Sequence, residues 1–212
     1  MLKKILVGLI VVIGALCGVI ATRPSTYTVN RSATFKAPPD IAFALVNDFH
    51  HWPEWSPWDK LDPNQKTLVE GPAQGEGSLY SWSGNDQVGA GRMFIEHSVP
   101  NEFVRIKLEF VRPFASKSLT AFSFTPAAEG VTVSWTMEGH NDFMGKAFCL
   151  FMDMDKMVGK DFEVGLANMR KVAEAQAQKR AEAEKLAAQN AAPAETPPTP
   201  AGNPRAVAQP TP

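Results

Sequence analysis

The residues able to do chemistry in this chain are few and poorly placed for it. Four histidines, His50, His51, His97 and His140, are present. None sits with a cysteine or glutamate at ligand spacing on a helical face, and the side chains of adjacent histidines diverge, so no metal centre is expected. Cys149 falls in a helical pattern beside phenylalanine, where a thiol is packing rather than nucleophile. No serine occupies a strand-turn-helix elbow. Glycines 71, 75 and 77, and again 84, 89 and 91, lie between and within strand patterns rather than ahead of a helix. They suit bulges and hairpins, not a phosphate cradle, and no cofactor is implied. Glu54, Asp59, Glu138 and Asp142 could move protons only if burial shifted them. As rim charges they are expected to stay in water, as are Lys156, Lys160, Asp161 and Glu163 on the far side of a long helix.

What remains is aromatic. The segment Phe35 to Trp58, FKAPPDIAFALVNDFHHWPEWSPW, joins a strand end to a proline-started amphipathic helix and then sets Trp52, Trp55 and Trp58 among prolines. Large amphipathic rings in such a loop can plug the end of a curved sheet, line a ligand entrance, or sit half wet in a membrane interface. All three roles describe the wall of an apolar space.

The elements that must position these rings are legible from periodicity. Tyr27 to Phe35 alternates as a strand. Ala37, Pro38, Pro39 and Asp40 then open a helix, because proline is tolerated in a first turn and aspartate suits the positive end of the helix dipole. From Lys66 the period becomes two, and strands are expected near 67–70, 77–83, 88–99, 102–112, 116–125 and 131–139. Their short connections require an antiparallel meander, since parallel pairing needs a long crossover. Val104, Ile106, Leu108 and Phe110 share one face against Arg105, Lys107 and Glu109, and Val131, Val133, Trp135 and Met137 repeat the pattern, so one side of the sheet is covered. The cover is expected from a single helix over Phe143 to Glu174, whose Ala147, Phe151, Met154, Val158, Phe162, Leu166 and Met169 recur at spacings of three and four. Phe143, Met144, Phe148 and Met152 form a surplus stripe, expected either to meet the tryptophan loop or to line a cavity.

The chain has 212 residues, a formal charge of -1 and 44% hydrophobic residues, unevenly spread. The near-neutral charge argues against a nucleic-acid partner, which would demand a basic excess. Two cysteines, Cys17 and Cys149, lie in segments that should not meet, so no internal disulfide is expected. Lys3 and Lys4 precede an unbroken apolar run from Ile5 to Ala21, followed by Arg23 and Pro24. That run is about the minimum for a bilayer-crossing helix. The lysines ahead of it favour an N-terminus left in the cytoplasm with the remainder translocated, and the alternative is a cleaved secretory signal. The expected organisation is an anchor over 1–23, a tether over 24–26, one domain over 27–173, and a fraying helix end with a disordered Ala/Pro-rich tail over 174–212.

This order of strand, two short helices, six strands and long helix resembles the helix-grip fold of the START-like superfamily, and within it the polyketide cyclase/dehydrase-type branch often called SRPBCC proteins. The resemblance spans about Tyr27 to Val172 and rests on FKAPPDIAFALVND, WPEWSPW, GAGRMFIE with Val99 and Pro100, and MVGKDFEVGLANM. It implies an α+β domain in which a seven-stranded antiparallel sheet wraps the C-terminal helix around a cavity for apolar molecules. It implies no shared catalytic set.

The function expected from the sequence is a membrane-anchored, extracytoplasmic domain that binds a hydrophobic small molecule or lipid. Val104, Ile106, Leu108, Phe110, Trp135 and Met137 would form the floor, Phe151 and Met154 the lid, and Trp52, Trp55 and Trp58 the mouth. Two other classes fit the same chain. A cyclase- or dehydratase-like enzyme would need a buried proton-handling group, for which Tyr80, His97 and Glu138 are candidates, and a protein-interaction module would use the tryptophan loop and the tail.

Overall fold

A computed structural model of the chain describes residues 1–150 and 153–191. It divides into two compact units, Met1–Gln178 and Lys179–Pro212, of which the first carries the fold described below. The chain begins with helix α1 (Leu2–Ala21), continues through β1 (Thr26–Phe35), α2 (Pro39–Asn47), a 3-10 turn (Phe49–His51) and α3 (Trp52–Trp55), and then runs through six strands. These are β2 (Lys66–Glu70), β3 (Leu79–Ser83), β4 (Ala90–Val99), β5 (Phe103–Arg112), β6 (Ser116–Ala127) and β7 (Gly130–His140). Two helices follow, α4 (Phe143–Phe148) and α5 (Met154–Ala191).

The strands form one antiparallel sheet in the order β1-β7-β6-β5-β4-β3-β2. Consecutive strands β2 to β7 pair as neighbours because each connection is a short turn, and β1 closes on β7 at the edge. Asp62 braces one of these turns, accepting from the backbone N–H of Asn85 at 2.7 Å, and Asn101 adopts a positive φ of 63° in another. Register defines two ends of the sheet. Thr26 pairs with His140, Ser118 with Gly139, Phe110 with Ser116 and Ala90 with Arg112, so all these lie at the end where the chain enters from α1. Phe35 and Pro126 both pair with Val131, and Val99 with Phe103, at the far end.

The two faces differ as the alternation demands. Val29, Val104, Ile106, Phe122, Val133 and Trp135 are buried on one side. The other carries ion-pair ladders, Arg92 and Lys117 flanking Glu109, and Arg105 and Lys107 flanking Glu96. These cations hold the carboxyls of Glu109 and Glu96 below the usual carboxylate range, chiefly through hydrogen bonds from Arg92 and Lys107 respectively.

Helix α5 lies over the β1–β7 half of the buried face. Phe162 stacks on Trp135 with ring centroids 3.8 Å apart and planes 8° from parallel. Arg31 of β1 reaches up to Asp155 (3.0 Å) and Glu163 (2.8 Å), and Asn168 donates to the carbonyl of Trp55. The ring of Trp135 can approach because α5 carries Gly165 at that point, where a Cβ would stand 2.8 Å from Cζ3 of the indole.

The helix expected over Phe143 to Glu174 is two helices instead. Asp153 interrupts it by starting a new first turn, accepting from the N–H of Lys156 at 3.2 Å, a capping role that aspartate performs in an extended or turn backbone better than inside a helix. The second helix also continues beyond Glu174 to Ala191, as its Ala, Glu, Lys and Gln composition allows. From 192 onward, the disordered tail expected within 174–212 lies outside the described residues. Of the surplus stripe, Phe143, Met144 and Phe148 are exposed instead of packed on the tryptophan loop, and Met152 lies outside the described residues.

Candidate hydrophobic binding site

The interior of the sheet is built from rings. Helix α2 carries its apolar residues Ile41, Phe43, Leu45 and Val46 inward, and the following turn drops Trp52 and Trp55 into the core. Both are buried, and both indole N–H groups are satisfied by carbonyls at the end of α2, Trp52 donating to Val46 O at 3.1 Å and Trp55 to Leu45 O at 2.8 Å. Their rings lie 4.8 Å apart and meet Phe122 edge-on. Phe43 meets Phe124 in the same way. These side chains close the interior from the far end of the sheet. Lipid contact for Trp52 and Trp55, one of the roles expected of this loop, is incompatible with that burial. Trp58 is different. It is half-buried, edge-on to Trp135, and its N–H points to Asp161 of α5 at 3.3 Å.

Trp135 is the centre of the packed half. It lies between Phe162 and Phe122, and donates to Thr120 Oγ1 at 2.8 Å, whose hydroxyl donates in turn to Thr136 O. The indole N–H and the threonine hydroxyl brought into this half are therefore both satisfied, as burial requires.

The β3–β5 half is built differently. Val104 and Ile106 are fully buried, Leu108 nearly so, like Met137 of β7 on the same face, and Phe110 is only half-buried. Beside them Tyr80, Trp82 and Met93 face the same side, with Trp82 edge-on to Phe110 at 5.6 Å and Tyr80 5.7 Å from Phe49. Trp82 is half-buried and donates to Val88 O at 2.9 Å. Toward the chain entry, Tyr27 bonds Ser118 across 3.0 Å, and its ring lies over Gly139, where a Cβ would stand 2.3 Å from it. An aromatic row thus runs along the concave side from Phe49 to Phe110, meeting water at its Trp82 and Phe110 end. Met154, at the start of α5, is half-buried, and Phe151 lies outside the described residues.

Tyr80 supplies the polar feature of this row. Burial, with help from the nearby charge of Asp59, pushes its phenol up to about 12 despite a hydrogen bond with Gln65. The carbonyl oxygen of Gln65 is itself buried and unpartnered, as is the hydroxyl of Ser78. The other two candidate proton carriers are outside. His97 is exposed and 2.7 Å from Glu76, whose carboxyl is held low first by the N–H of Ser98 and then by His97, and Glu138 is on the solvent face. His50 and His51 pair with Asp48 and Glu54 on the surface. Among the described residues no group of three or more His, Cys, Asp or Glu is placed to hold a metal ion.

Two open depressions, of about 780 and 460 Å³, lie near the chain entry and share Glu109 and Lys117. Their walls include Lys107, Glu138 and Arg92, so they belong to the charged side of the sheet, and of the expected site residues they touch Leu108 and Phe110. Trp82 and Met93 were not among the site residues expected from sequence. The signal was present, since Tyr80 and Trp82 alternate with Ser81 and Ser83 and must share a face, but a strand two residues shorter than expected carries it.

A curved antiparallel sheet closed by two short helices and a long C-terminal helix, around an aromatic interior, defines an α+β protein of the helix-grip type. The family described as polyketide cyclase / dehydrase and lipid transport matches residues 26–174, and the chain belongs to it. Solved structures agree on the fold. The protein CV1439 from Chromobacterium violaceum is 17% identical with a TM-score of 0.51, covering 72% of this chain and 99% of its own. The Aha1 dimer from Colwellia psychrerythraea is 15% identical with a TM-score of 0.51, covering 70% and 96%. The di-domain ARO/CYC StfQ from the steffimycin biosynthetic pathway is 15% identical with a TM-score of 0.53, over 74% of this chain and 52% of its own. No curated protein matches the sequence.

Proposed function

We propose that this chain is a membrane-anchored binding protein that holds a hydrophobic small molecule or lipid against the concave side of its sheet. The observation that carries this is the half-buried aromatic row of Trp82 and Phe110, apolar surface on the inner face at the end of the sheet opposite the Trp52 and Trp55 plug. Val104, Ile106, Leu108 and Met137 form its floor, with Met93 beside them. Trp58 and Met154 flank it, and Trp52, Trp55 and Trp135 close its inner end. Burying ligand surface there would contribute roughly 25 cal/mol per Å² of apolar area. Helix α1 supports the anchor, because an 18-residue stretch of it has mean hydropathy 2.6 and is almost wholly unburied by protein. Lys3 and Lys4 in its first turn favour a domain on the extracytoplasmic side.

A diazirine-bearing fatty acid, photolysed with the full-length chain in membranes and mapped by peptide mass spectrometry, tests the site. Cross-links are expected on β3 and β5, and to fall when Trp82→Ala is made. Labelling confined to Leu2–Ala21 refutes an interior site.

One observation favours a second role for the same space, that of a cyclase- or dehydratase-like enzyme. Tyr80 is a buried phenol that keeps its proton through the physiological range and stands beside an apolar space. A group of this kind donates a hydrogen bond to a carbonyl or enolate. Tyr80→Phe would then abolish turnover of a bound polyketide while leaving the fatty-acid cross-link intact.

A further inference from the structure

The search for unexplained surface leads back to the end of the sheet where the chain enters. Beyond α1, from Thr22 onward, the two most exposed large apolar side chains among the described residues are Phe114, 78% exposed, and Met144, 73% exposed. Val111, Phe143 and Phe148 are also exposed, at 62%, 48% and 44%. Single exposed apolar residues are ordinary on soluble proteins, so the number alone says little. Their placement says more. Val111 lies near the end of β5 and Phe114 in the β5–β6 connection, and Phe143, Met144 and Phe148 belong to α4, which follows β7. Both connections are at the entry end, because Phe110 pairs with Ser116, Ser118 with Gly139, and His140 with Thr26.

Helix α1 comes from that same end. Only Thr22 to Ser25 separate Ala21 from β1, and four residues extend at most about 14 Å. The junction is shorter than that in the structure, since Thr22 and Arg23 still bond back to Gly18 and Ile20, and the N–H of Asn141, just ahead of α4, donates to Ser25 O at 2.7 Å. The end of α1 is packed, with Ile20 buried, and α4 lies against α1. A helix that spans a bilayer and is fastened in this way brings α4 and the β5–β6 tip to the membrane surface.

We propose that the entry end of the domain docks on the bilayer itself, Phe114 of the β5–β6 tip and the Phe143, Met144 and Phe148 side chains of α4 inserting at the level of the headgroups. The occupant is lipid rather than a protein partner, because the tether leaves no length for a partner to intervene. This rests on α1 being the membrane anchor. Docking holds the domain in one orientation, with the charged outer ladders wet and the Trp82 and Phe110 end of the aromatic row nearest to lipid.

The test uses the full-length chain in phosphatidylcholine vesicles, nitroxide-labelled at one site at a time. The native Cys17 reports α1 in a Cys149→Ala background. Phe114→Cys, Met144→Cys and Ala128→Cys, in a background lacking both native cysteines, report the two docking elements and the far-end β6–β7 turn. Near-ultraviolet circular dichroism of the buried tryptophans confirms the fold of each. Accessibility to oxygen relative to a water-soluble nickel chelate gives depth. The expected result is a several-fold higher ratio at 114 and 144 than at 128, with Cys17 in hydrocarbon. If 114 and 144 match 128 while Cys17 is deep, docking is overturned and the anchor stands. If 114 and 144 are shielded from both reagents, protein covers the patch and the proposal fails. If Cys17 is itself aqueous, or the N-terminal segment has been removed, the anchor fails and docking with it.

Discussion

Gly165→Ala is expected to destabilise the domain, reversing the usual sign of a glycine-to-alanine change inside a helix. Helix propensity alone favours alanine by about 1 kcal/mol. Against this, the new methyl group would stand 2.8 Å from Cζ3 of Trp135 and 3.3 Å from Cδ of Pro57, whereas carbon atoms rest about 3.5–4.0 Å apart. The indole has nowhere to go. Phe162 stacks on it at 3.8 Å, Phe122 lies 4.8 Å away, and its N–H is fixed on Thr120. The helix must therefore lift, and overpacking of this kind costs about 1–3 kcal/mol. The net is a loss of about 1 kcal/mol, which for a domain of this size lowers Tm by about 2–4 °C. Thermal unfolding followed by near-ultraviolet circular dichroism, which reports the tryptophan cluster, measures it. A cycle with Trp135→Phe isolates the cause, because the smaller ring vacates the Cζ3 position and the two changes should couple by about 1 kcal/mol. A rise in Tm for Gly165→Ala, or additive effects in the cycle, would show that α5 does not rest on Trp135 as described.

Three further outcomes are expected. Ultraviolet titration of the two tyrosines should show one phenol ionising only near pH 12, and Tyr80→Phe should remove that late step. Because the folded value is raised, the contribution is complete below the unfolded value of 10.0 and declines as pH rises from there to about 12. Its full size is about 2.7 kcal/mol, which solvent screening reduces to roughly half. Hydrogen bonding from Arg31 holds Asp155 below its ordinary value, so this contribution is present above the unfolded value of 3.8 and is lost as pH falls through the folded one. Amide exchange at the start of α5 should accelerate over that acid range, and Arg31→Gln should produce the same acceleration at neutral pH. Trp55→Ala should cost about 3–5 kcal/mol by denaturant unfolding, since it empties a fully buried ring site and strips Leu45 O of its donor.

The fold was legible because its signals are local. Alternation in Val104 to Phe110 and Val131 to Met137, and short turns between strands, leave an antiparallel sheet with one covered face as the consistent solution, and the structure has it. The break between α4 and α5 was hidden because the apolar spacing from Ala147 to Met169 runs on through it. Asp153 is the residue that marks it, by offering its carboxylate to a new helix start. The roles of the tryptophans were less legible for another reason. Type and spacing say that Trp52, Trp55 and Trp58 are near one another, but whether an indole faces a core or an opening depends on which backbone carbonyl lies within reach of its N–H. Leu45 O and Val46 O, exposed by the end of α2, settle that for two of the three.

The same geometry gives the domain a direction. At the far end, α2 and α3 turn back over the sheet and spend Phe43, Trp52 and Trp55 on closing it, and α5 covers the β1–β7 half because Arg31, Trp135 and Gly165 form one contact line. No comparable contact from α5 reaches Trp82 or Phe110 among the described residues, so apolar surface is left where the closing elements stop. That place is the entry end, at which a twenty-residue apolar helix also arrives and at which Phe114 and Met144 stand clear of the protein. A soluble binding domain gains by keeping its unsealed end away from other surfaces, since exposed apolar patches associate. Here the unsealed end, the exposed rim and the apolar helix coincide. In the proposed docking, a membrane would lower the free energy of all three together.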